Sequence, residues 1–315
     1  MTEALQPPVA KTRLSPEQRA QVLELRRSNS ITEVARITGL PVGTVKTLCS
    51  RAGATRDNTA ARAFFALPPL ALADTTAVAI PAPLPEQRAV TGDKDVDAML
   101  WLREVVATGD AGLIAKALQA AERIKTPAKE LELRYGRHLI AAAGGDTFAG
   151  VFGSMNFADL AGHARNVIDR QARQREAVAR FGSEAAVHAD QATEQFCIDA
   201  LIDLEPSGMF DEYGAEAACT AFEAEAAMRP RTLADCLHEL GYWSALYRQR
   251  SAWPDAGDGL PQTRARENYL RRCLSVLRPK SRDDAKAVLR HIADERDSFG
   301  NEEVTDAILE NLIGG

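Results

Sequence analysis

Apolar residues recur along most of the chain at intervals of three and four, the period of an α-helix with one buried face. Ser15–Ser28 carries an apolar stripe of Ala20, Val22, Leu23 and Leu25, with Arg19, Arg26 and Arg27 on the polar side. Its opening, Ser15-Pro16-Glu17-Gln18, has a serine cap, a proline at the first helical position and a glutamine three residues after the cap. A second short helix is predicted from Thr32 to Thr38, turning at Gly39, and a third from about Pro41 to Ala52. Val34, Ile37, Leu40, Val45 and Leu48 form the expected core between them. From Asp93 onward the same period predicts helices over Asp93–Thr108, Asp110–Lys125, Thr126–Ala143, Asn156–Phe181, Glu184–Leu204, Glu212–Met228, Leu233–Arg250, Thr263–Leu277, Arg282–Arg296 and Glu302–Ile313. Phe148–Phe152 reads as a short apolar connector. Alternating strand patterns are missing, β-branched residues are sparse and alanine is abundant. The fold class expected is all-α, with about thirteen helices.

The pattern breaks between residues 64 and 92, where prolines stand at 68, 69, 81, 83 and 85. Such a composition favours extended, semi-rigid chain. Three parts follow: a small tri-helical domain over residues 14–63, a Pro/Ala-rich linker over 64–92, and an all-α body over 93–315 with a candidate split near 206–230. Phe64 and Phe65 are expected to dock back on the small domain, which the linker leaves free to move on its own. Residues 1–13, with Lys11 and Arg13, read as a polar arm.

Within the small domain the offsets narrow the reading. Ala35 supplies a small side chain where two helices cross, Gly39 a turn with positive φ, and Val45 an apolar plug. Thr44, Lys46, Thr47, Ser50 and Arg51 are left on the outer face of the third helix, followed by Arg56, with no acidic residue before Asp57. The run EVARITGLPVGTVKTLCSRA resembles the DNA-binding helix-turn-helix of the fourth region of bacterial sigma factors and of LuxR-type regulators. That resemblance covers 25–40 residues or so of the chain. It implies major-groove contact by Thr44, Lys46, Thr47 and Arg51, with flanking basic residues on phosphate. No aromatic-rich promoter-melting segment accompanies it, so it points to DNA contact and not to sigma activity.

Charge agrees with this division. The chain of 315 residues has a formal net charge of −6. Residues 1–63 hold ten Lys and Arg against five Asp and Glu, a surplus of +5, which leaves −11 for the remainder. A basic head on an acidic body is the asymmetry expected where one end meets phosphate. The five cysteines, Cys49, Cys197, Cys219, Cys236 and Cys273, form no CxxC pair, and free buried thiols in a reducing cytoplasm are expected. The apolar run Phe64–Leu84 is broken by prolines and Asp74, and the first residues lack a signal-peptide core, so no membrane partner is expected.

Chemistry elsewhere finds little support. His138, His163, His188, His238 and His291 are scattered, Cys236 and His238 fall on different faces of a helix, and no phosphate loop or GxSxG context is present, so no metal, no cofactor and no enzymatic activity are expected. The acidic run Asp199, Asp203, Glu205, Asp211 and Glu212 lacks the strands that organise two-metal sites. Arg165, Arg170, Arg173, Arg175 and Arg180 on the long helix are interrupted by Asp169 and Glu176. Tyr242, Trp243, Tyr247 and Trp253 read as core rings. The expected partners are double-stranded DNA, a second copy of the chain (a homo-oligomer, with a dimer favoured) and RNA polymerase or another protein against the acidic body. The alternatives are a packaging or replication adaptor similar to a phage terminase small subunit, a transposase or recombinase, and an interaction scaffold that touches no DNA.

Overall fold

The computed structural model describes residues 14–52, 54, 56–71, 83–207, 212–254, 256–257, 259–279, 281–294 and 302–313. The arm carrying Lys11 and Arg13, the middle of the proline-rich stretch and Asp211 lie outside them. Among the described residues the chain is all-helical, and its only extended pairing is an isolated antiparallel bridge between Ser207 and Glu212. It divides into two compact units. The first is drawn from Met1–Leu67, Asp190–Tyr247 and Asp258–Gly315, the second from Pro68–Ala189 and Arg248–Gly257.

The first unit begins with α1 (Pro16–Ser28), α2 (Ile31–Thr38) and α3 (Val42–Arg51). The start of α1 is a full capping box: the Gln18 N–H donates to Ser15 Oγ at 3.2 Å and the Ser15 N–H to Gln18 Oε1 at 3.1 Å. Ser30 caps α2 by accepting the Glu33 N–H, which starts that helix one residue before the expected Thr32. Val22, Val34, Ala35, Val45 and Cys49 are buried among the three helices, with Leu25, Ile31, Leu40, Leu48 and Ala54 packed around them. A short α4 (Thr59–Phe64) follows, capped by Asn58.

The second unit contains α5 (Lys94–Ala107), α6 (Ala111–Ala121), α7 (Ala128–Ala142), α8 (Thr147–Ser154), α9 (Leu160–Phe181) and α10 (Glu184–His188). Its core gathers Val96, Met99, Leu102, Val106, Leu131 and Val167, among others. Two expectations need correction here. Phe148–Phe152 is part of α8 and not a connector. The long helix begins at Leu160 and not at Asn156, because Asn156 adopts φ +56° and Asp159 caps the new start by accepting the Gly162 N–H.

The chain then returns to the first unit with α11 (Ala192–Ala200), α12 (Ala215–Ala224), α13 (Leu233–Arg250, through Tyr247 in this unit), α14 (Pro261–Val276), α15 (Arg282–Asp294) and α16 (Glu302–Ile313). The span expected as one helix over Glu184–Leu204 is broken at Ala189, which is extended. Arg266 lies at the centre of these helices with 0% exposure. Its guanidinium donates to the Glu239 carboxylate at 2.7 and 2.9 Å and to the Met228 carbonyl at 2.7 Å. The rings of Phe65, Phe196, Phe222 and Tyr269 stand 4.9 to 5.5 Å from it. A cation buried in this way persists because its carboxylate partner and the negative ring faces replace water.

Phe65 belongs to that cluster. Its ring packs edge-on against Phe196 and Tyr242, and Trp243 lies 5.8 Å away. The expectation that Phe64 and Phe65 dock on the three-helix core is therefore corrected, because they pack with α11 and α13. That small core is filled by short aliphatic chains, whereas the C-terminal helices offer aromatic neighbours and a cation. Polar contacts fasten the same segment. Asp235 accepts the N–H groups of Asn58, Arg231 and Thr232 and the Arg62 guanidinium, the last at 2.6 Å. The Asn58 side chain donates to the carbonyls of Ala227 and Arg229, and His238 Nε2 lies 2.9 Å from the carbonyl oxygens of both Arg62 and Phe65.

Candidate nucleic-acid interface

The candidate interface is built on how α3 is presented. Gly39 ends α2 with φ +67°, the left-handed conformation that a side chain disfavours. Pro41, with φ −57°, then sets the start of α3. The period of 3.6 residues turns Val45 and Cys49 inward and leaves Leu48 half-buried. Thr44, Lys46, Thr47, Ser50 and Arg51 are all exposed. The Thr47 hydroxyl donates to the Gly43 carbonyl at 2.8 Å, so its oxygen faces outward as an acceptor. No acidic residue lies on α3, and among the described residues neither Lys46 nor Arg51 forms an ion pair. Arg36, by contrast, is held by Glu33, and Arg62 by Asp57 and Asp235. On α3, Lys46 and Arg51 are therefore exposed cations without an ion pair among the described residues.

The core residues read from sequence meet here in part. Val34, Ala35, Leu40, Val45 and Leu48 are in the cluster. Gly39 is exposed and contributes through its backbone. Ile37 is 45% exposed and outside the cluster. Ile31, Val34, Ala35 and Thr38 follow the inward i, i+3, i+4, i+7 row, and Ile37 falls two residues past Ala35, on the opposite side. Arg56 lies past α3 on the way to α4 and is half-buried, so it does not extend the exposed row of that helix. Cys49 is a small buried filler, and burial pushes its thiol up, away from the thiolate form that a redox sensor needs.

The other candidate groups stay apart. Among the described residues no three His, Cys, Asp or Glu side chains come together in a way that could hold a metal ion. Asp199 is exposed and accepts from the Gln195 side chain of its own helix. Arg180 is taken up by Glu176 and the Pro68 carbonyl. Tyr242 and Trp243 are buried, while Tyr247 is exposed. Sequence reasoning missed the Asp235 and Arg266 sites. The Thr232-x-x-Asp235 spacing signals a helix start, with the Asp235 N–H donating to Thr232 Oγ1, but nothing in it announces Asn58 and Arg62 as partners.

Comparison of the chain with protein-family models, with curated proteins and with solved structures finds no match in any of the three.

Proposed function

We propose that this chain is a double-stranded DNA-binding regulator of bacterial or phage type, and that α1, α2 and α3 form a helix-turn-helix with α3 as the recognition helix. The observation that carries the reading is the outer face of α3. There Thr44, Lys46, Thr47, Ser50 and Arg51 are exposed together, carry two cations free of ion pairs among the described residues, and meet no acidic neighbour on the helix. A helix of this width enters the major groove, and hydroxyl, ammonium and guanidinium groups match base edges and phosphates there. The net charge of +5 on residues 1–63 supports the same reading. No catalytic step is assigned to the chain.

One recognition helix touches only a few base pairs, so the reading includes a second copy of the chain on the same duplex. The acidic remainder is the part left for that copy or for RNA polymerase. Asp235 and Phe65 fasten α4, the helix that follows α3 in the chain, to the C-terminal helices of the first unit. The reading is tested by titrating a bound duplex with the full chain at several salt concentrations. Arg51→Ala is expected to weaken binding by about 1–3 kcal/mol, and Lys46→Ala to lower the salt slope by about one. Variants that bind as the unaltered chain does would remove α3 from the interface.

A further inference from the structure

The outer face of α8 is the least explained surface of the second unit. Phe148, Val151, Phe152 and Met155 are 70%, 59%, 61% and 57% exposed. Their spacing of i, i+3, i+4 and i+7 places them in one row along the helix and its exit. The Phe148 and Phe152 rings stack on each other, with centroids 5.1 Å apart. No charged residue occurs from Thr147 to Phe157. The opposite face of α8 is fixed in place. Gly150 is buried against α7, where a Cβ would come within 2.3 Å of Ile140 and 3.0 Å of the Gly136 carbonyl oxygen. The exit turn is held by the Arg103 guanidinium, which donates to the carbonyls of Asn156 and Phe157. The apolar row is therefore presented rigidly outward.

We propose that this face of α8 is a two-fold interface through which two copies of the chain pair. Three features select a second copy over a different partner. A row without charge needs no complementary charge, and it does not repel its own image. A two-fold axis beside Val151 and Phe152 lays the helices antiparallel, so that Phe148 of each copy faces the Met155 end of the other, and every residue in the row meets an apolar one. At about 200 Å² for a fully exposed aromatic side chain, and somewhat less for the others, the four residues offer roughly 450 Å² per copy. Two copies would then bury about 900 Å² through this row alone, close to the roughly 1,000 Å² that a specific interface needs before its rim is added. The inference takes from the DNA-binding reading only the need for a second copy, and its location rests on α8.

Light scattering and sedimentation of the full chain test it. A dimer is expected at about 100 µM, dissociating on dilution, with Phe152→Asp and Val151→Asp each weakening association by about 30-fold or more. Both side chains are exposed, so thermal unfolding followed by circular dichroism is expected to be unchanged. Ile202→Asp, at a residue 72% exposed in the first unit, is expected to leave the dimer intact. A chain that stays monomeric at that concentration, an assembly that grows past two, or a dimer that survives Phe152→Asp and Val151→Asp overturns the interface. Binding to a half-site duplex is read separately. Its loss in a chain that still dimerises counts against the proposed function and not against α8.

Discussion

Asp235 has an outsized role for one side chain. It accepts from three backbone N–H groups and from the Arg62 guanidinium, and through Asn58 and Arg62 it reaches 177 and 173 residues back along the chain. Replacing it by alanine leaves buried donors without an acceptor, so Asp235→Ala is expected to lower unfolding stability by about 2–4 kcal/mol in a urea titration. A loss below about 0.5 kcal/mol, the size of an ordinary surface change, would mean that the α4 segment is not fastened there. Asp97 gives a pH-dependent counterpart. Burial raises its pKa, but the N–H groups of Thr91, Val90 and Gly92 and the Thr91 hydroxyl bind the carboxylate and bring the net value below the ordinary one. A depressed carboxylate pKa contributes stability that is full above the unfolded value of about 3.9 and is lost as pH falls through the folded value. The unfolding midpoint should therefore drop more between about pH 6 and about pH 3 for the natural chain than for Asp97→Asn. Equal drops would contradict the assignment. Neither residue could be singled out from sequence, since a carboxylate near a helix start looks the same whether it caps its own helix or also receives a distant segment.

At the scale of the element, local signals served well where the energetics are local. Ser15 and Gln18 close the capping box on α1, Asp93 caps α5, and Gly39 takes the positive φ that its place after α2 requires. Gly39→Ala isolates that last effect. A Cβ there meets nothing within 4 Å, so only the backbone conformation is penalised. A cost of about 1–2 kcal/mol in thermal unfolding is expected, and no cost would mean that the turn is not held left-handed in solution. The misread elements share a cause. TFAGVFGS has phenylalanine and valine on one side and glycine on the other, so it read as a short apolar connector, when it is a helix packed on its glycine side. Asn156 and Ala189 interrupt helices without a proline or glycine to announce it, because each break is held by tertiary contacts such as those of Arg103 with Asn156 and of Arg250 with Ala189.

At the scale of the molecule, the all-helical class follows from a repeated 3.6-residue period, but the division into units does not. The chain leaves the first unit after Leu67 and comes back at Asp190, and a boundary crossed several times leaves no single composition shift to read. The candidate interface was more legible, because a short helix with an alternation of plugs and polar positions encodes both its core and its outer face within about twenty residues. Its attachment was not. The proline-rich stretch after Leu67 suggested a linker beginning at residue 64, whereas Asn58–Phe65 is fastened to the C-terminal helices before those prolines begin. The proposed function requires the outer face of α3 to read a DNA sequence. Selection of bound duplexes from a random pool by the full chain tests it most directly. The expected result is enrichment of one motif, lost with Arg51→Ala and weakened steeply by salt. A pool that stays random after repeated rounds, with no salt-dependent affinity for any duplex, would contradict it.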